Sequence, residues 1–217
     1  MSHMFRTLLF DVDGTLIDSN GAHAEAWTTA MREYGVEVNV DQIRRMIGMG
    51  GDKILPAIAH VSEDSDQGQS ITRRKKQIFN SLLPSLQPTH GARPLVEYLR
   101  DQHIDLVIAT SADDREMAAL LQRAGVADLI PQRTSKADAQ ASKPDPDIVH
   151  AALVQSNAQP KYTALIGDTP YDIEAADRAG IDAIALRCGG YWPDDSLRGA
   201  VKIFDDPQAL LAYWRSY

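Results

Sequence analysis

Two aspartates, Asp11 and Asp13, stand one residue apart directly after the apolar residues 8–10. No basic residue lies beside them, so their negative charges repel each other unless a cation intervenes. A carboxyl group with its ordinary pKa of about 4 is ionised at neutral pH, so Asp11 could act as a nucleophile without a neighbouring base. Taken alone, the stretch could also be a simple turn, since Asp and Gly favour turns.

Further polar residues follow other apolar segments of the chain. They are Thr110 and Ser111 in "ATS", Lys143 in "SKPDPD", and Asp168 and Asp172 in "GDTPYD". Ligands of open parallel sheets bind beyond the carboxyl ends of the strands, so we expect these residues to converge there with the first pair. Four of the five also have a structural interpretation: a strand residue for Thr110, a surface loop for Lys143, a helix cap for Asp168 and a first-turn charge for Asp172.

Together these residues indicate a chemistry that no one of them would indicate alone. An all-oxygen site with few protein ligands suits Mg²⁺, which keeps bound waters and takes phosphate oxygens as ligands. Attack of Asp11 on phosphorus would form an aspartyl phosphate, while Thr110, Ser111 and Lys143 could hold the other phosphoryl oxygens. Positioning and charge neutralisation of this kind are what phosphoryl transfer requires.

The elements that must position these residues are predicted from apolar patterns. Short apolar runs alternate with helical patterns, which favours an α/β fold with a parallel sheet covered by helices on both faces. The predicted strands are residues 7–10, 106–110, 129–131, 163–167 and 183–187.

Residues 18–88 break this alternation. They contain four helical patterns and no convincing strand, and "PSLQP" at residues 84–88 is typical of a linker. The run "RRKK" at residues 73–76 is interpreted as a solvated helix face rather than an anion site. About 70 helical residues are therefore predicted to be inserted after the first strand.

Composition limits the classes of function. The chain has 217 residues, a formal net charge of −8, 44% apolar residues and one cysteine. The negative charge argues against nucleic acid as a partner. The single cysteine favours a reducing compartment, and we expect a cytoplasmic protein. No apolar run approaches a membrane span and no secretory signal pattern begins the chain, so no membrane association is expected.

The motifs "DVDGT", "ATS", "SKPDPD" and "GDTPYDIEAADRAG", in that order, closely resemble the four motifs of the haloacid dehalogenase superfamily. The inserted helices resemble the cap of its phosphoglycolate phosphatase and beta-phosphoglucomutase-like branch. The resemblance implies a three-layer Rossmann-like α/β core over residues 1–17 and 88–217. It also implies an all-helical cap domain over residues 18–87, hinged above the site.

The resemblance also implies roles for the first motif. Asp11 would be the nucleophile and a metal ligand. Asp13 would be the general acid and base, and would bind the metal through its backbone carbonyl.

The remaining motifs are given roles in the same way. Thr110 and the backbone amide of Ser111 would hold the phosphoryl group, and Lys143 would bridge nucleophile and phosphate. Asp168 would bind Mg²⁺ directly or through water, and Asp172 would orient metal-bound water or Lys143.

Two residues of the predicted cap are candidates for substrate binding. His23 lies one helical turn before Trp27, and Lys53 ends the glycine-rich "GMGGDK" turn. A packed histidine and an ordinary surface lysine are equally acceptable interpretations.

The expected function is a Mg²⁺-dependent phosphatase acting on a small phosphorylated metabolite, such as phosphoglycolate or a sugar phosphate, as a monomer or homodimer. Asp13 argues against carbon–halogen cleavage, because the superfamily's dehalogenases lack an acid there. A phosphomutase of the beta-phosphoglucomutase type is the first alternative, disfavoured by Gly167 before Asp168 and by a cap loop without arginine. A catalytically silent protein that binds a phosphorylated metabolite is the second.

Overall fold

The computed structural model describes residues 5–216. Their strands are β1 (Thr7–Phe10), β2 (Ile17–Asp18), β3 (Gln87–Pro88), β4 (Asp105–Ala109), β5 (Gln132–Thr134), β6 (Thr163–Gly167), β7 (Asp182–Leu186) and β8 (Lys202–Phe204). Their α-helices are α1 (Asn20–Glu33), α2 (Val40–Arg44), α3 (Gly51–Ile58), α4 (Asp66–Leu82), α5 (Ala92–Asp101), α6 (Asp114–Arg123), α7 (Asp147–Ser156), α8 (Pro170–Arg178) and α9 (Pro207–Arg215).

The main sheet is parallel and has the order β5-β4-β1-β6-β7-β8. Strand β1 lies inside it, with Leu9 opposite Val107 of β4 and Leu165 of β6. Every residue of β1 and β6 is buried, because helices cover both faces and each face needs apolar side chains. The predicted parallel α/β sheet is confirmed.

Successive residues of β1 enter different apolar clusters, since strand side chains alternate between faces. Leu8 and Phe10 pack in a cluster that contains residues of α5, α6 and α9. Leu9 packs in a second cluster that contains residues of α7 and α8. The sheet is therefore the middle layer of three.

The segment between β2 and β3, residues 19–86, is all-helical and is called the helical insert below. Its four helices, α1–α4, lie where the sequence predicts four helical patterns. They share an apolar cluster built around Trp27, Met31, Ile54 and Ile71. Strands β2 and β3 pair antiparallel, so the chain leaves and re-enters the α/β core side by side. The further division into independent domains, residues 18–87 against the rest, stays a prediction; residues 1–4 and 217 of the predicted core lie outside the described part.

Some element boundaries differ from the prediction. The strand predicted at residues 129–131 begins at Gln132 instead, because Leu129 and Ile130 are buried in a turn in which Leu129 N–H donates to Val126 O at 3.0 Å. The two-residue strand β3 ends the predicted linker, and β8 and α9 have no counterpart in the prediction. Strand β8 is short and partly exposed, so its apolar signal is weak. No helix within residues 5–216 has the length and apolar character to cross a bilayer.

Candidate active site

The carboxyl ends of neighbouring strands bring the predicted site residues together. Asp11 follows β1, Thr110 follows β4 and Asp168 follows β6, and β1 lies between the other two strands. Carboxylate oxygens of Asp11, Asp168 and Asp172 lie within 4.8 Å of one another, and all three residues are buried. The convergence expected from the sheet topology is present.

Lys143 crosses this cluster from the loop before α7. Its side chain is 1% exposed, and its Nζ donates to Asp11 Oδ1 and, at 2.6 Å, to Asp172 Oδ1. Burial alone would lower the pKa of Lys143, but the two carboxylates outweigh it and raise that pKa above its ordinary value. The ammonium is therefore held charged between Asp11 and Asp172.

One lysine does not balance the carboxylates around it. Burial raises the pKa of Asp11 to about 7, against the opposing effect of Lys143. Burial, followed by the charges of Asp172 and Asp11, raises the pKa of Asp168 well above its ordinary range. Crowded, buried carboxylates of this kind favour a further cation.

The donor set fits Mg²⁺, which prefers oxygen ligands. Asp172 has both oxygens engaged, Oδ1 with Lys143 and Oδ2 with the hydroxyl of Thr169 at 2.6 Å and its N–H at 3.1 Å. Asp168 is oriented by Asn20, whose Nδ2 donates to Asp168 Oδ2 at 2.8 Å, whereas its Oδ1 has only a long hydrogen bond of 3.4 Å from Thr15 Oγ1. Asp11 and Asp168 are thus the carboxylates that could hold the ion, with Asp172 holding Lys143.

Asp13 is turned toward the helical insert. Its Oδ1 accepts from Ser19 Oγ at 2.5 Å and lies 2.8 Å from His23 Nε2. Burial would raise the pKa of Asp13, but His23 and these hydrogen bonds outweigh it and lower the pKa to about 2. Because Asp13 is ionised here, His23 Nε2 is the donor of their hydrogen bond. The carboxylate of Asp13 is not among the three whose oxygens lie within 4.8 Å of one another. The predicted use of its backbone carbonyl as a metal ligand stays a prediction.

The turn after Asp13 depends on glycine. Gly14 has a φ of +73°, a conformation that L side chains rarely adopt, and a Cβ there would lie 2.3 Å from Asp168 Oδ2. Gly14 therefore lets the first and fourth motifs approach each other closely.

Two hydroxyl groups follow β4. Thr110 is buried, and its Oγ1 accepts from the N–H of Ala112 at 3.1 Å, which shapes the turn after the strand. Ser111 Oγ is buried with no hydrogen-bond partner among residues 5–216. An unpartnered buried hydroxyl costs free energy unless a ligand satisfies it, so Ser111 is ready to bind one.

These groups line a cavity of about 100 Å³ between the α/β core and the helical insert. The core contributes Asp11, Asp13, Thr110, Ser111 and Lys143. The insert contributes residues of α1 and α4 together with residues 47–51 and Glu63. A ligand here would touch both parts of the chain.

Residues 8–186 match the family model described as haloacid dehalogenase-like hydrolase. This chain belongs to that family. A phosphorylated carbohydrates phosphatase of Thermotoga maritima is 29% identical over 181 residues, which cover 82% of each chain. Fructose-1-phosphate phosphatase of Escherichia coli is 25% identical over 190 residues, or 86% of this chain and 99% of that protein. The crystal structure of a hydrolase from Pseudomonas syringae has a TM-score of 0.90 and 27% identity, covering 97% of this chain and 98% of that one.

The resemblance read from the four motifs is confirmed by these matches. This haloacid dehalogenase-like hydrolase is an enzyme of the phosphatase type. The matches do not test which of its residues act in catalysis, so the individual roles remain predictions.

The two candidates in the helical insert differ in position. His23 lines the cavity of this hydrolase, and its ring stacks on Phe79 with centroids 3.9 Å apart. Lys53 is not among the residues that line the cavity. Its Nζ donates to Asp145 Oδ2 at 2.6 Å, on the loop that carries Lys143. The structure therefore brings His23 to the predicted site and joins Lys53 to the loop beside it.

Lys75 is a cavity residue that the sequence interpretation missed. It is 6% exposed, and its ammonium lies 4.7 Å from the ring centroid of Phe79 and 5.8 Å from that of Trp27. The spacing of Lys75 from apolar residues could have revealed its position. Lys75 lies four residues after Ile71 and four before Phe79, which places it on the apolar face of α4 rather than on a solvated face.

Proposed function

We propose that this chain is a Mg²⁺-dependent phosphatase that hydrolyses the phosphomonoester of a small metabolite through an aspartyl phosphate on Asp11. The observation that carries the proposal is the contact of Asp11 with the buried ammonium of Lys143, inside a carboxylate cluster that borders the cavity. A carboxylate held in this way has a cation on one side and an accessible space on the other.

The metal would be held by Asp11, Asp168 and the backbone carbonyl of Asp13. When bound, Mg²⁺ supplies positive charge that neutralises phosphoryl oxygens and draws them toward the nucleophile.

In the first chemical step, an oxygen of Asp11 attacks phosphorus as the bond from phosphorus to the leaving oxygen breaks. Lys143, the hydroxyl of Ser111 and the turn at Thr110 hold the other phosphoryl oxygens. Asp13, which is ionised in the free enzyme, takes up a proton as the substrate enters, because the negative charge of the phosphate raises the pKa of Asp13 from its low value. It then gives that proton to the leaving oxygen as the bond to phosphorus breaks. His23 keeps that carboxylate oriented through its 2.8 Å hydrogen bond.

In the second step, water attacks phosphorus and the bond between phosphorus and Asp11 breaks. Asp13 accepts the proton of the water, as a general base. Water rather than a second substrate hydroxyl is the proposed acceptor, because no arginine is found among the described residues that line the cavity to hold a second phosphate. Hydrolysis is therefore favoured over a mutase reaction.

The α/β core would supply the chemistry and the helical insert the choice of substrate. The predicted division into a core and a cap of residues 18–87, hinged near residues 18–21 and 84–88, is part of this proposal. Phosphorylated carbohydrates are the first class to test, because two similar curated proteins are named as phosphatases of such compounds.

Release of inorganic phosphate from a panel of phosphorylated metabolites tests the proposal. We expect hydrolysis of at least one sugar or polyol phosphate with Mg²⁺, and its loss with EDTA and in Asp11→Asn. Turnover that survives both changes would reject the proposed mechanism. No turnover of any phosphomonoester, including p-nitrophenyl phosphate, would reject the proposed function.

A further inference from the structure

The cavity contains more lysines than the chemistry needs. Besides Lys143, three lysines line it: Lys75, Lys76 and Lys136. Each forms an ion pair with a carboxylate that lines the same cavity. The pairs are Lys75 with Glu116 at 3.4 Å, Lys76 with Asp113 at 2.6 Å, and Lys136 with Glu63 at 2.6 Å.

Every pair has one member on each side of the cavity. Lys75 and Lys76 extend from α4 of the helical insert to Glu116 and Asp113 at the start of α6. The third pair is reversed, with Glu63 in the insert and Lys136 in the core. The three pairs thus join the core and the insert across the cavity, and the charges of each pair cancel.

Because these three ion pairs line the cavity, they determine which charges a leaving group would contact. A carboxylate or second phosphate on the substrate would have to displace Glu116, Asp113 or Glu63 from its lysine, or lie beside that carboxylate. Like charges placed together in an interface repel each other, whereas a neutral group leaves all three pairs intact.

A polar group on the insert side of the cavity is also neutral. Thr72 Oγ1 lines the cavity and is buried without a hydrogen-bond partner within residues 5–216. Trp27 adds an aromatic surface. An unpartnered hydroxyl and an aromatic ring suit a leaving group that carries hydroxyl groups rather than a second charge.

We propose that the three ion pairs, Lys75–Glu116, Lys76–Asp113 and Lys136–Glu63, select a neutral, hydroxyl-bearing leaving group and exclude substrates with a second anionic group. The proposal rests on the phosphatase function proposed above and names the substrate class of that site. Phosphoglycolate, which carries a carboxylate, would then be a poor substrate.

Glycerol 3-phosphate and 3-phosphoglycerate form a matched pair, since they differ by a hydroxymethyl group against a carboxylate. We expect kcat/KM to be at least about tenfold higher for the neutral compound. Both are also measured as competitive inhibitors of p-nitrophenyl phosphate hydrolysis, which reports the preference even where turnover is slow. Equal values, or a preference for 3-phosphoglycerate, would overturn the inference while leaving the phosphatase function standing.

Two variants test whether the ion pairs cause this preference. Glu116→Gln frees Lys75 to bind an anion, so the ratio of kcat/KM for glycerol 3-phosphate to that for 3-phosphoglycerate should fall severalfold. Asp113→Asn is a second variant that removes a charge while keeping an acceptor for the N-cap of α6. Glu33→Gln is the control, since it breaks an ion pair with Arg74 that is exposed and does not line the cavity.

An unchanged ratio in both cavity variants would overturn the role of the pairs, as would an equal narrowing in the control. Because each result is a ratio of two substrates, a general loss of folded enzyme cancels. Absence of hydrolysis of every phosphomonoester tested, including p-nitrophenyl phosphate, in the unmodified enzyme would reject the phosphatase function and this inference together.

Discussion

The α/β core and the helical insert both line one cavity, but they hold their polar side chains differently. On the core side, Asp11, Lys143 and Asp168 are at most 6% exposed and follow strands or buried loops. At the seam with the insert, Lys76 and Lys136 are nearly half exposed, and their partners Asp113 and Glu63 are 37% and 21% exposed. Buried, mutually bonded groups suit fixed chemistry, whereas exposed pairs can be remodelled as the two parts separate and close.

The difference has a physical origin. Asp11 and Asp168 directly follow the neighbouring strands β1 and β6, so the separation of their backbones is fixed by the hydrogen bonds of the sheet. The seam groups sit on elements joined mainly by side chains. Mutations in the core should therefore change the rate for every substrate, and mutations at the seam should change it less.

The largest effect is expected from Asp11→Asn. Without a nucleophilic carboxylate, phosphate release should fall by at least about 10³-fold, the scale on which loss of a nucleophile acts. Circular dichroism should show an intact fold, because the change removes a charge from a crowded buried cluster. A variant that keeps more than a few per cent of the activity would break the assignment of chemistry to the core.

Asp13→Ala should come next. General acid–base catalysis contributes about 10²–10⁴ in rate, so turnover of an alkyl phosphate should fall by that factor. The loss in kcat/KM, which reports formation of the aspartyl phosphate, should be smaller for p-nitrophenyl phosphate, whose leaving group needs no proton. Values of kcat/KM for the variant and the unmodified enzyme on both compounds provide the check. Equal losses in kcat/KM on the two would argue against proton donation by Asp13.

The candidate site residues of the α/β core were largely predictable from the sequence. Continuous apolar runs identify β1, β4 and β6, and the polar residue that ends each run must reach the same sheet edge. Asp11, Thr110 and Asp168 could thus be brought together without a structure. Short elements were less predictable: β5 is a partly polar strand displaced from the apolar residues before it, and β8 has only three residues.

The contacts between the helical insert and the core were predicted less well, because they join residues far apart in the chain. Lys75 meets Glu116, 41 residues away, and Lys53 meets Asp145, 92 residues away. Local spacing places Lys75 on the apolar face of α4, but it cannot reveal which carboxylate faces that helix. Pairing across the seam depends on how the insert docks, which no short motif encodes.

A moderate effect is expected at the clasp between Gly50 and Asp52 of the insert and Ser142 of the core. Gly50 N–H donates to Ser142 Oγ at 2.9 Å, and Ser142 N–H donates to Asp52 Oδ2 at 3.1 Å, directly before Lys143. Ser142→Ala should cost about 1 kcal/mol, or about fivefold in kcat/KM. The loss should be equal for an aryl phosphate and a metabolite, because the clasp acts on the loop of Lys143.

Lys53→Ala offers the matched comparison at the same seam. Its contact with Asp145 is partly exposed, so a smaller, equally unselective loss is expected. A loss confined to the metabolite would instead show that Lys53 contacts the leaving group, as its place in the glycine-rich turn suggested. Assays of both variants on both substrates distinguish these outcomes.

The smallest effect is expected away from the cavity, at Asp206. Its carboxylate caps α9 by accepting from Ala209 N–H at 2.8 Å, and it lies 2.8 Å from His90 Nδ1. Asp206→Ala should lower the free energy of unfolding by about 1 kcal/mol and leave turnover per folded molecule unchanged. Urea unfolding measures the first quantity, and Asp206→Asn, which keeps an acceptor, should lose less.

The pKa shift of Asp206 predicts the direction in which the stability difference between Asp206→Ala and the unmodified enzyme changes with pH. Burial would raise the pKa of Asp206, but His90 and the backbone donors outweigh it and lower the pKa. A carboxyl group with a lowered folded-state pKa contributes stability above its unfolded value of about 4 and loses it as the pH falls further. The gap between Asp206→Ala and the unmodified enzyme should therefore narrow below about pH 4. A gap that widened there would contradict the pKa direction.

Trapping the covalent intermediate tests the central claim, that the core performs phosphoryl transfer through Asp11. The Asp13→Ala enzyme with p-nitrophenyl phosphate and Mg²⁺ should accumulate the aspartyl phosphate, because hydrolysis by activated water is slowed more than its formation. After an acid quench and borohydride reduction, mass spectrometry should find homoserine at residue 11, together with a burst of up to one p-nitrophenol per active site. A burst with the reduced residue elsewhere, or turnover without a burst or a modified Asp11, would contradict the account.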